Sequence, residues 1–202
     1  LAIGDVNLNA PSEYERVKER YDFLKSQKED LITAENTLYD IIKEMDSIMK
    51  NKLSTTFEEV RREFKIVYRE LFKGGRAELS LTDPNNILET GIDIKAEPPG
   101  KKLQSISLLS GGEKTFTAIS LLFAILNVRP VPFCLCDEVE AALDDANVEA
   151  FGKYLDKYRD NTQFIITHKK KTMEYADVLY GITMQESGVS KIVSVKLEDI
   201  KK

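Results

Sequence analysis

Four groups of residues that could carry out phosphate chemistry follow one another in the second half of this 202-residue chain. They are the motif Leu109–Lys114 (LSGGEK), the pair Asp137–Glu138, the segment Leu143–Asp145 and His168. Backbone N–H groups beside glycines bind anions, carboxylates bind magnesium, and imidazole handles protons near neutral pH. In this order they predict part of a nucleotide-hydrolysing site that is assembled from several loops.

The glycines of the first motif come directly before a predicted helix. Gly111 and Gly112 allow a ligand to approach the backbone closely, and the first N–H groups of the helix attract an anion. Ser110 adds a hydroxyl donor, Glu113 begins the predicted helix, and Lys114 adds a positive charge. We therefore expect a phosphate site here, although Ser-Gly-Gly is also common in ordinary loops.

The acidic pair Asp137–Glu138 follows Val131–Cys136, a continuous apolar run that is typical of a strand buried on both faces. Ligands of open α/β sheets gather at the carboxyl ends of the strands. We expect Asp137 to hold Mg²⁺, directly or through water, and Glu138 to polarise the attacking water. A solvated acidic pair in a loop is the alternative.

His168, the only histidine in the chain, follows the next predicted strand, Gln163–Thr167. If that strand neighbours the first, the imidazole comes within reach of the same γ-phosphate, whereas a structural histidine is the alternative. Asp145 fits the N-cap of a helix predicted from Asn147, and Asp144–Asp145 would also lie beside the site or across an interface.

One motif is missing from the sequence. The phosphate-cradling pattern G-x-x-x-x-G-K-[ST] does not occur, and the pairs Gly100-Lys101 and Gly152-Lys153 lack both its upstream glycine and its hydroxyl residue. We therefore expect the chain alone not to bind or hydrolyse ATP well, and to need a complementary half.

A long charged helix precedes these motifs. Pro11 and the capping-box spacing Ser12-x-x-Glu15 predict its start, and Gly74-Gly75 predicts its end. Its apolar residues follow a heptad series, which favours one strand of a coiled coil over an amphipathic helix packed on its own domain. The series comprises Tyr14, Val17, Tyr21, Leu24, Leu31, Leu38, Ile42, Met45 and Met49.

A second apolar face then begins through consecutive four-residue steps, a stutter that unwinds a supercoil. It comprises Leu53, Phe57, Val60, Phe64, Val67 and Leu71. We therefore predict a coiled-coil or neck segment at 1–52 and a globular lobe at 53–202. Alternating stretches from Ala77 and from Gly91 predict small antiparallel strands, and Val178–Leu197 predicts a closing hairpin.

Strand, helix and strand at the spacing of residues 131–167 predict a mostly parallel sheet with flanking crossover helices. The net charge of −5 argues against a globally basic nucleic-acid binder. No apolar run approaches the ~20 residues that cross a bilayer, so no membrane partner is expected. Cys134 and Cys136 are predicted to be buried thiols on one strand face rather than metal ligands.

The LSGGEK motif, the run from Asp137 to Val148 (DEVEAALDDANV) and Ile166-Thr167-His168 together closely resemble the structural maintenance of chromosomes (SMC) ATPases, especially the bacterial ones. The resemblance is to the C-terminal half of their head, so the fold class it implies is α/β: the C-terminal lobe of an ABC-type ATPase head, preceded by a long coiled-coil helix. Val139 after the acidic pair, where transporters commonly have proline, points away from transport.

The resemblance also implies roles for the site residues. An N-terminal half of the same head would supply the Walker A loop, and this half the Walker B Asp137, the catalytic Glu138 and the switch residue His168. Two heads of a homodimer would enclose ATP and Mg²⁺. The signature motif of one head, Leu109–Lys114, would contact the γ-phosphate bound by the other, and the D-loop, Leu143–Asp145, would communicate across the dimer.

Further partners are implied in the same way. A kleisin subunit would contact the last strands near Val189–Leu197, and DNA would be organised in the cytoplasm, at the nucleoid. Lys169–Lys171 is a candidate DNA contact, or an ordinary solvated loop. The function implied is ATP-driven chromosome condensation and segregation. The alternatives are a coiled-coil ATPase of DNA double-strand-break repair and a non-enzymatic interaction fragment.

Overall fold

The structure, a computed structural model, describes residues 9–158 and 162–196. The chain divides into two compact units, Leu1–Lys52 and Leu53–Lys202, and helix α1 runs through the boundary between them. The helices are α1 (Ala10–Leu71), α2 (Gly111–Val128), α3 (Asp145–Leu155) and α4 (Lys170–Met173). The strands are β1 (Arg76–Leu81), β2 (Ile92–Glu97), β3 (Gln104–Ser105), β4 (Phe133–Asp137), β5 (Thr162–Ile166), β6 (Val178–Glu186) and β7 (Val189–Lys196).

Helix α1 begins earlier than the capping-box pattern predicts. Ala10 is already helical, and the Ser12 hydroxyl donates to the Asn9 carbonyl oxygen at 2.9 Å instead of accepting from the Glu15 backbone. The predicted N-cap at Ser12 is therefore wrong: Pro11 fits the first turn of a helix because it needs no hydrogen-bond acceptor for its nitrogen.

The heptad series of α1 is exposed throughout the first unit. Its nine apolar side chains are between 45% and 69% exposed, and nothing in the described part of the chain covers them. A regular apolar stripe of this kind contacts another helix when a coiled coil forms. A coiled coil with a second helix would cover this stripe, and the coiled-coil assignment stays a prediction.

The second apolar face of α1 lies in the core of the second unit, as the change of phase predicts. Phe57, Phe64, Val67 and Leu71 are buried, whereas Leu53, predicted to belong to this face, is 45% exposed. Because the buried positions are spaced seven, three and four residues apart, a single side of the helix contacts the core.

The end of α1 is a Schellman motif with lysine at its left-handed position. Lys73 has φ +53, its N–H donates to the Glu70 carbonyl oxygen, and the Gly74 N–H donates to that of Arg69. Gly75 begins the turn into β1 with φ +71, and a Cβ at this position would lie 2.2 Å from the Glu97 carbonyl oxygen. The chain turns back there because glycine alone fits.

The predicted antiparallel strands are present. β1, β2 and β3 form a three-stranded antiparallel sheet in that order, with Arg76 opposite Glu97 at one end of the first pair. The Arg76 guanidinium donates to the Glu97 carboxylate at 2.8 Å. Strand β3 is followed by Ile106–Leu108, a 3₁₀ turn that leads into the LSGGEK motif.

The predicted parallel pairing is present as well. β4 and β5 pair in parallel, with α3 as their connection. The prediction that the sheet is mostly parallel is wrong for the described residues, because β4–β5 is the single parallel pair and the pairings β1–β2–β3 and β6–β7 are antiparallel. The chain is nevertheless an α/β protein with a long helix.

The β4–β5 sheet is covered on one face alone, contrary to the prediction of a strand buried on both. Cys136 is buried and Cys134 half-buried, but Phe133 and Leu135 on the other face are each 62% exposed. Phe164 and Ile166 of β5 are each 50% exposed. The core of this chain supplies one covering layer, and the second apolar face has none within the described residues.

Four aromatic rings connect α1 to α2. Phe64 contacts Tyr68 edge-on, Tyr68 stacks on Phe72 with centroids 4.2 Å apart, and Phe72 contacts Phe116 of α2 at 4.8 Å. Burial raises the pKa of the Tyr68 hydroxyl, so this ring stays neutral in the core. These contacts fix the start of α2, and with it the LSGGEK motif, against the end of α1.

No helix in the described ranges is long and apolar enough to cross a membrane.

The predicted closing hairpin is present as β6 and β7, which pair antiparallel around Ser187-Gly188. The predicted last residue of that hairpin, Leu197, lies outside the described residues.

Two positions on α1 test this burial pattern. Replacing Phe64, which is fully buried, with alanine removes a ring from the core and should lower the free energy of unfolding by about 3–5 kcal/mol. The matched change Ile66→Ala, at a side chain that is 58% exposed, should cost well under about 1 kcal/mol. Urea unfolding followed by circular dichroism measures both. Equal losses would contradict the assigned face of the helix.

Candidate active site

The site is built on the carboxyl ends of β4 and β5. Parallel register places Asp137 opposite Ile166, so the two loops that follow these strands start side by side. We call Asp137–Asp144 the carboxylate loop and Thr167–Lys169 the histidine loop. The Glu138 N–H donates to the Ile166 carbonyl oxygen at 2.9 Å, which extends the strand pairing into the carboxylate loop.

Glu138 adopts a backbone conformation that non-glycine residues rarely use. Its φ of +46° lies in the left-handed region, as does that of Lys73 at the end of α1. Such a conformation costs about 1–3 kcal/mol for a residue with a Cβ, and it is found preferentially at functional sites. The carboxylate of Glu138 is thereby directed away from the continuation of β4 while the N–H stays in the strand pairing.

His168 faces the Glu138 carboxylate. The imidazole Nδ1 lies 3.4 Å from Glu138 Oε1, and both side chains are more than half exposed. The pair is therefore accessible from solvent. Two groups that accept and donate protons thus meet at one edge of the sheet.

Asp137 fits the chemistry of a magnesium ligand. It is exposed at the last position of β4, and none of the described residues forms a hydrogen bond or ion pair with its carboxylate. Magnesium is commonly bound through one or two carboxylates together with waters and substrate phosphates, so a three-residue protein cage is not required. No group of three metal-ligating side chains occurs in the described part of the chain.

The D-loop residues have three different environments. Leu143 is buried in the core, Asp144 is exposed, and Asp145 forms an ion pair with Lys171 at 3.3 Å. The N-cap of α3 is Asp144, whose Oδ1 accepts from the Asn147 N–H at 2.8 Å, so the predicted N-cap at Asp145 is wrong by one residue. The helix starts earlier because Asp145 and Ala146 already adopt helical geometry.

The LSGGEK motif begins α2 with a complete capping box. The Ser110 N–H and hydroxyl both donate to Glu113 Oε2, at 3.0 and 2.8 Å, and the Glu113 N–H donates back to Ser110 Oγ. Our sequence analysis did not identify this cap, although Ser-x-x-Glu is its usual signal. Leu109 is a buried core residue, and Lys114 is exposed.

A lysine that the sequence analysis did not single out also joins this motif. Lys101 Nζ lies 2.8 Å from Glu113 Oε1, and this contact, with the Ser110 donors, lowers the pKa of the Glu113 carboxyl. The Ser110 hydroxyl, which we predict to donate to a phosphate, is thus held by an ionised carboxylate.

The two glycines of the motif differ in their surroundings. A Cβ on Gly111 would have no atom within 4 Å, whereas one on Gly112 would lie 3.1 Å from the Ala142 carbonyl oxygen. Gly112 therefore permits close packing of α2 against the carboxylate loop. Gly111 leaves open space at the helix N-terminus, where an anion could approach the backbone.

The structure thus brings the predicted residues into two neighbouring groups. Glu138 and His168 face each other, and Gly112 packs against the loop that carries Asp137 and Asp144. Within the described residues no hydrogen bond joins the signature motif to Glu138 or His168.

Both cysteines, and two lysines of the run Lys169–Lys171, contact other residues of this chain. Cys134 Sγ and Cys136 Sγ lie 3.7 Å apart on one strand face, and burial, first of all, raises the pKa of the Cys136 thiol to about 12. Lys169 Nζ donates to the Leu143 carbonyl oxygen, and Lys171 pairs with Asp145. Two of the three lysines proposed as a DNA contact therefore bind the D-loop region.

Comparison with known sequences identifies relatives. The sequence model of the family described as "RecF/RecN/SMC N terminal domain" matches residues 17–191. The chain is 63% identical over 200 residues to the chromosome partition protein Smc of Bacillus subtilis (strain 168), covering 98% of this chain and 17% of that protein. For the protein of the same name from Lactiplantibacillus plantarum, identity is 57% with the same coverage.

The solved structures that resemble this chain are also SMC proteins. The Smc head domain with an extended coiled coil, bound to the C-terminal domain of ScpA from Pyrococcus furiosus, superposes with a TM-score of 0.72 at 37% identity. The match covers 94% of this chain and 48% of that one. A chain described under "Structural biochemistry of ATP-driven dimerization and DNA stimulated activation of SMC ATPases" gives 0.66 at 38% identity, covering 76% and 98%.

The difference between the two glycines can be tested by stability alone. Gly111→Ala should leave the free energy of unfolding unchanged or raise it by up to about 1 kcal/mol, because alanine favours the helix and meets no atom. Gly112→Ala should lower it, because its Cβ forces α2 away from Ala142. Thermal unfolding of both variants measures the contrast. Stabilisation of equal size in both would contradict the packing described.

Proposed function

The chain belongs to the RecF/RecN/SMC family, and from this premise we propose that it forms the C-terminal half of an SMC ATPase head. In this proposal residues 1–52 are one strand of the adjoining coiled coil and residues 53–202 are the lobe. An N-terminal half of the same head completes the nucleotide site. The assembled head binds and hydrolyses ATP, and two such heads engage to drive chromosome condensation and segregation.

The assignment to the C-terminal half rests on the motifs of the chain itself, since the family model is described as an N-terminal domain. Signature motif, acidic pair, D-loop and histidine occur in that order, and the Walker A pattern is absent from all 202 residues. The chain also covers about half of the Pyrococcus furiosus head chain, 48%. A Walker A motif encoded far upstream in the same gene is the expected finding, and one encoded downstream would overturn the assignment.

The exposed face of β4–β5 supports the need for a second half. Phe133, Leu135, Phe164 and Ile166 together present an apolar surface at the strands that carry the site. Contiguous exposed apolar surface of this kind is normally covered by a partner. A complementary half that packs there would bring its phosphate-binding loop to the edge where Asp137 ends β4.

The observation that carries the proposed catalysis is the position of Glu138 opposite His168. Glu138, held in its left-handed conformation, would accept a proton from a water as it attacks the γ-phosphate, and His168 would orient the phosphate or that water. Asp137 would hold Mg²⁺, which when bound neutralises phosphate charge. Exposure of both side chains leaves room for the nucleotide that the other half binds.

In the proposed dimer, the signature motif of this chain serves the ATP held by a second head. The N–H groups at the start of α2, the open space at Gly111 and the charge of Lys114 suit a γ-phosphate. Ser110 would have to share its hydroxyl between Glu113 and the phosphate. Asp144, exposed at the N-cap of α3, would lie at the interface between the heads.

The proposed further partners follow from the relatives. ScpA is bound to the Pyrococcus furiosus head, and we propose that a kleisin binds this chain at β7. Tyr180, Ile182 and Ile192 of the β6–β7 hairpin are each at least 65% exposed, which suits such a contact. DNA at the nucleoid is the proposed substrate, but Lys169 and Lys171 are occupied elsewhere and give its binding little support.

The catalytic assignment predicts a separation of two activities. With the complementary half supplied, Glu138→Gln should keep ATP-dependent dimerisation but lower turnover by about 10²–10⁴-fold, because the amide cannot accept the proton. Dimerisation is measured by light scattering and turnover by phosphate release. The control Glu149→Gln, at an exposed residue of α3 that pairs with Lys153, should behave as the parent does. Parental turnover by the Glu138 variant would show that another group is the base.

A further inference from the structure

Glu140 is the one buried acidic residue among those that the structure describes. Its side chain is 1% exposed although it lies in a loop, three residues after Asp137. A buried carboxylate costs free energy unless hydrogen bonds compensate for lost water. The proposed chemistry uses Asp137 and Glu138 and leaves Glu140 without a role.

The carboxylate of Glu140 reaches across to the histidine loop. Its Oε1 accepts a hydrogen bond from the Thr167 hydroxyl, and Thr167 Oγ1 in turn accepts from the Lys169 N–H at 3.0 Å. The Thr167 side chain thus bridges the backbone on both sides of His168. The backbone of the histidine loop is thus held by hydrogen bonds at the residue before His168 and at the residue after it.

A second connection returns from the histidine loop to the carboxylate loop. Lys169 Nζ donates to the Leu143 carbonyl oxygen, and the Leu143 N–H donates to the Glu140 carbonyl oxygen at 3.0 Å. The contacts among Glu140, Thr167, Lys169 and Leu143 therefore form a closed ring, which we call the Glu140 bracket. His168 lies within one side of the bracket, and Asp144 follows the other.

We infer that Glu140 is a positioning residue: through the bracket it holds His168 against Glu138 and fixes Asp144 relative to His168. The inference rests on the proposed function for its consequence in catalysis. Its structural part, that Thr167 transmits the position of Glu140 to His168, stands on the hydrogen bonds alone.

Thr167 offers a matched pair of variants. Thr167→Val keeps the shape of the side chain and removes the hydroxyl, whereas Thr167→Ser keeps the hydroxyl and removes a methyl group. If the hydroxyl joins Glu140 to the histidine loop, valine should release the loop and serine should retain it. Loss of packing alone would affect the two variants in the opposite order.

The first readout is the NMR chemical shift of the His168 imidazole in the 202-residue chain. His168 is the only histidine, so ¹³C-histidine labelling gives one ring signal. We expect the parent and Thr167→Ser to share its chemical shift, and Thr167→Val to move it by more than a line width. Lys169→Met removes the ammonium group that donates to the Leu143 carbonyl oxygen, and it should also move the ring signal. Because the Lys169 side chain is only half-buried, this variant should still fold. Lys169→Arg keeps a donor and should leave the signal unchanged. A ring signal that is unchanged in both Thr167→Val and Lys169→Met would overturn the bracket.

The second readout separates this inference from the proposed function. In the head assembled with its complementary half, Thr167→Val should lower kcat about ten-fold or more and leave the KM for ATP within about two-fold, because orientation rather than nucleotide binding is lost. Thr167→Ser should restore kcat. A changed ring signal with parental kcat would overturn the inference that Glu140 positions His168 for turnover. An assembled parent head without ATP turnover would instead refute the proposed function and leave the ring test valid.

Discussion

The parallel register of β4 and β5 is the constraint on which the rest of the site depends. It sets Asp137 opposite Ile166 and lets the Glu138 N–H continue the pairing, so two loops distant in sequence begin side by side. This register brings the imidazole of His168 within reach of Glu138, 3.4 Å from its carboxylate. The left-handed backbone at Glu138 is tolerated because the neighbouring strand holds its N–H, and the strain directs its carboxylate toward solvent.

The same sheet leaves apolar surface at the strands that carry the site, which the proposed complementary half would cover. One face of β4–β5 contacts the core, while Phe133, Leu135 and Phe164 on the other are half or more exposed. The heptad stripe of α1 is likewise exposed. Both surfaces are apolar and regular, a pattern that marks sites of contact with a partner. The proposed N-terminal half and its coiled-coil helix would cover them.

Much of this architecture could be predicted from periodicity and spacing, and the exceptions have physical causes. The long helix, its change of face near Phe57, the antiparallel strands and the β4–α3–β5 crossover follow from apolar patterns. An apolar run cannot reveal whether its second face is covered by the same chain, so the burial of β4 was overestimated. Glu138 and His168 could be paired because strand ends are predictable, but the partners of Glu140 and Lys101 depend on loop geometry. The observed helix starts differ from the predicted ones by up to three residues because neighbouring polar residues compete as caps.

The central claim is that one chain carries two half-sites for two different ATP molecules. The most direct test mixes two inactive head variants, Ser110→Arg and Glu138→Gln, each assembled with its complementary half. A mixed dimer contains one site with an intact signature motif and an intact base, so ATP turnover should recover to about one quarter of the parental rate at equal mixing of a twofold-symmetric dimer. If both half-sites served the same nucleotide on one head, mixing would restore nothing above the sum of the two variants.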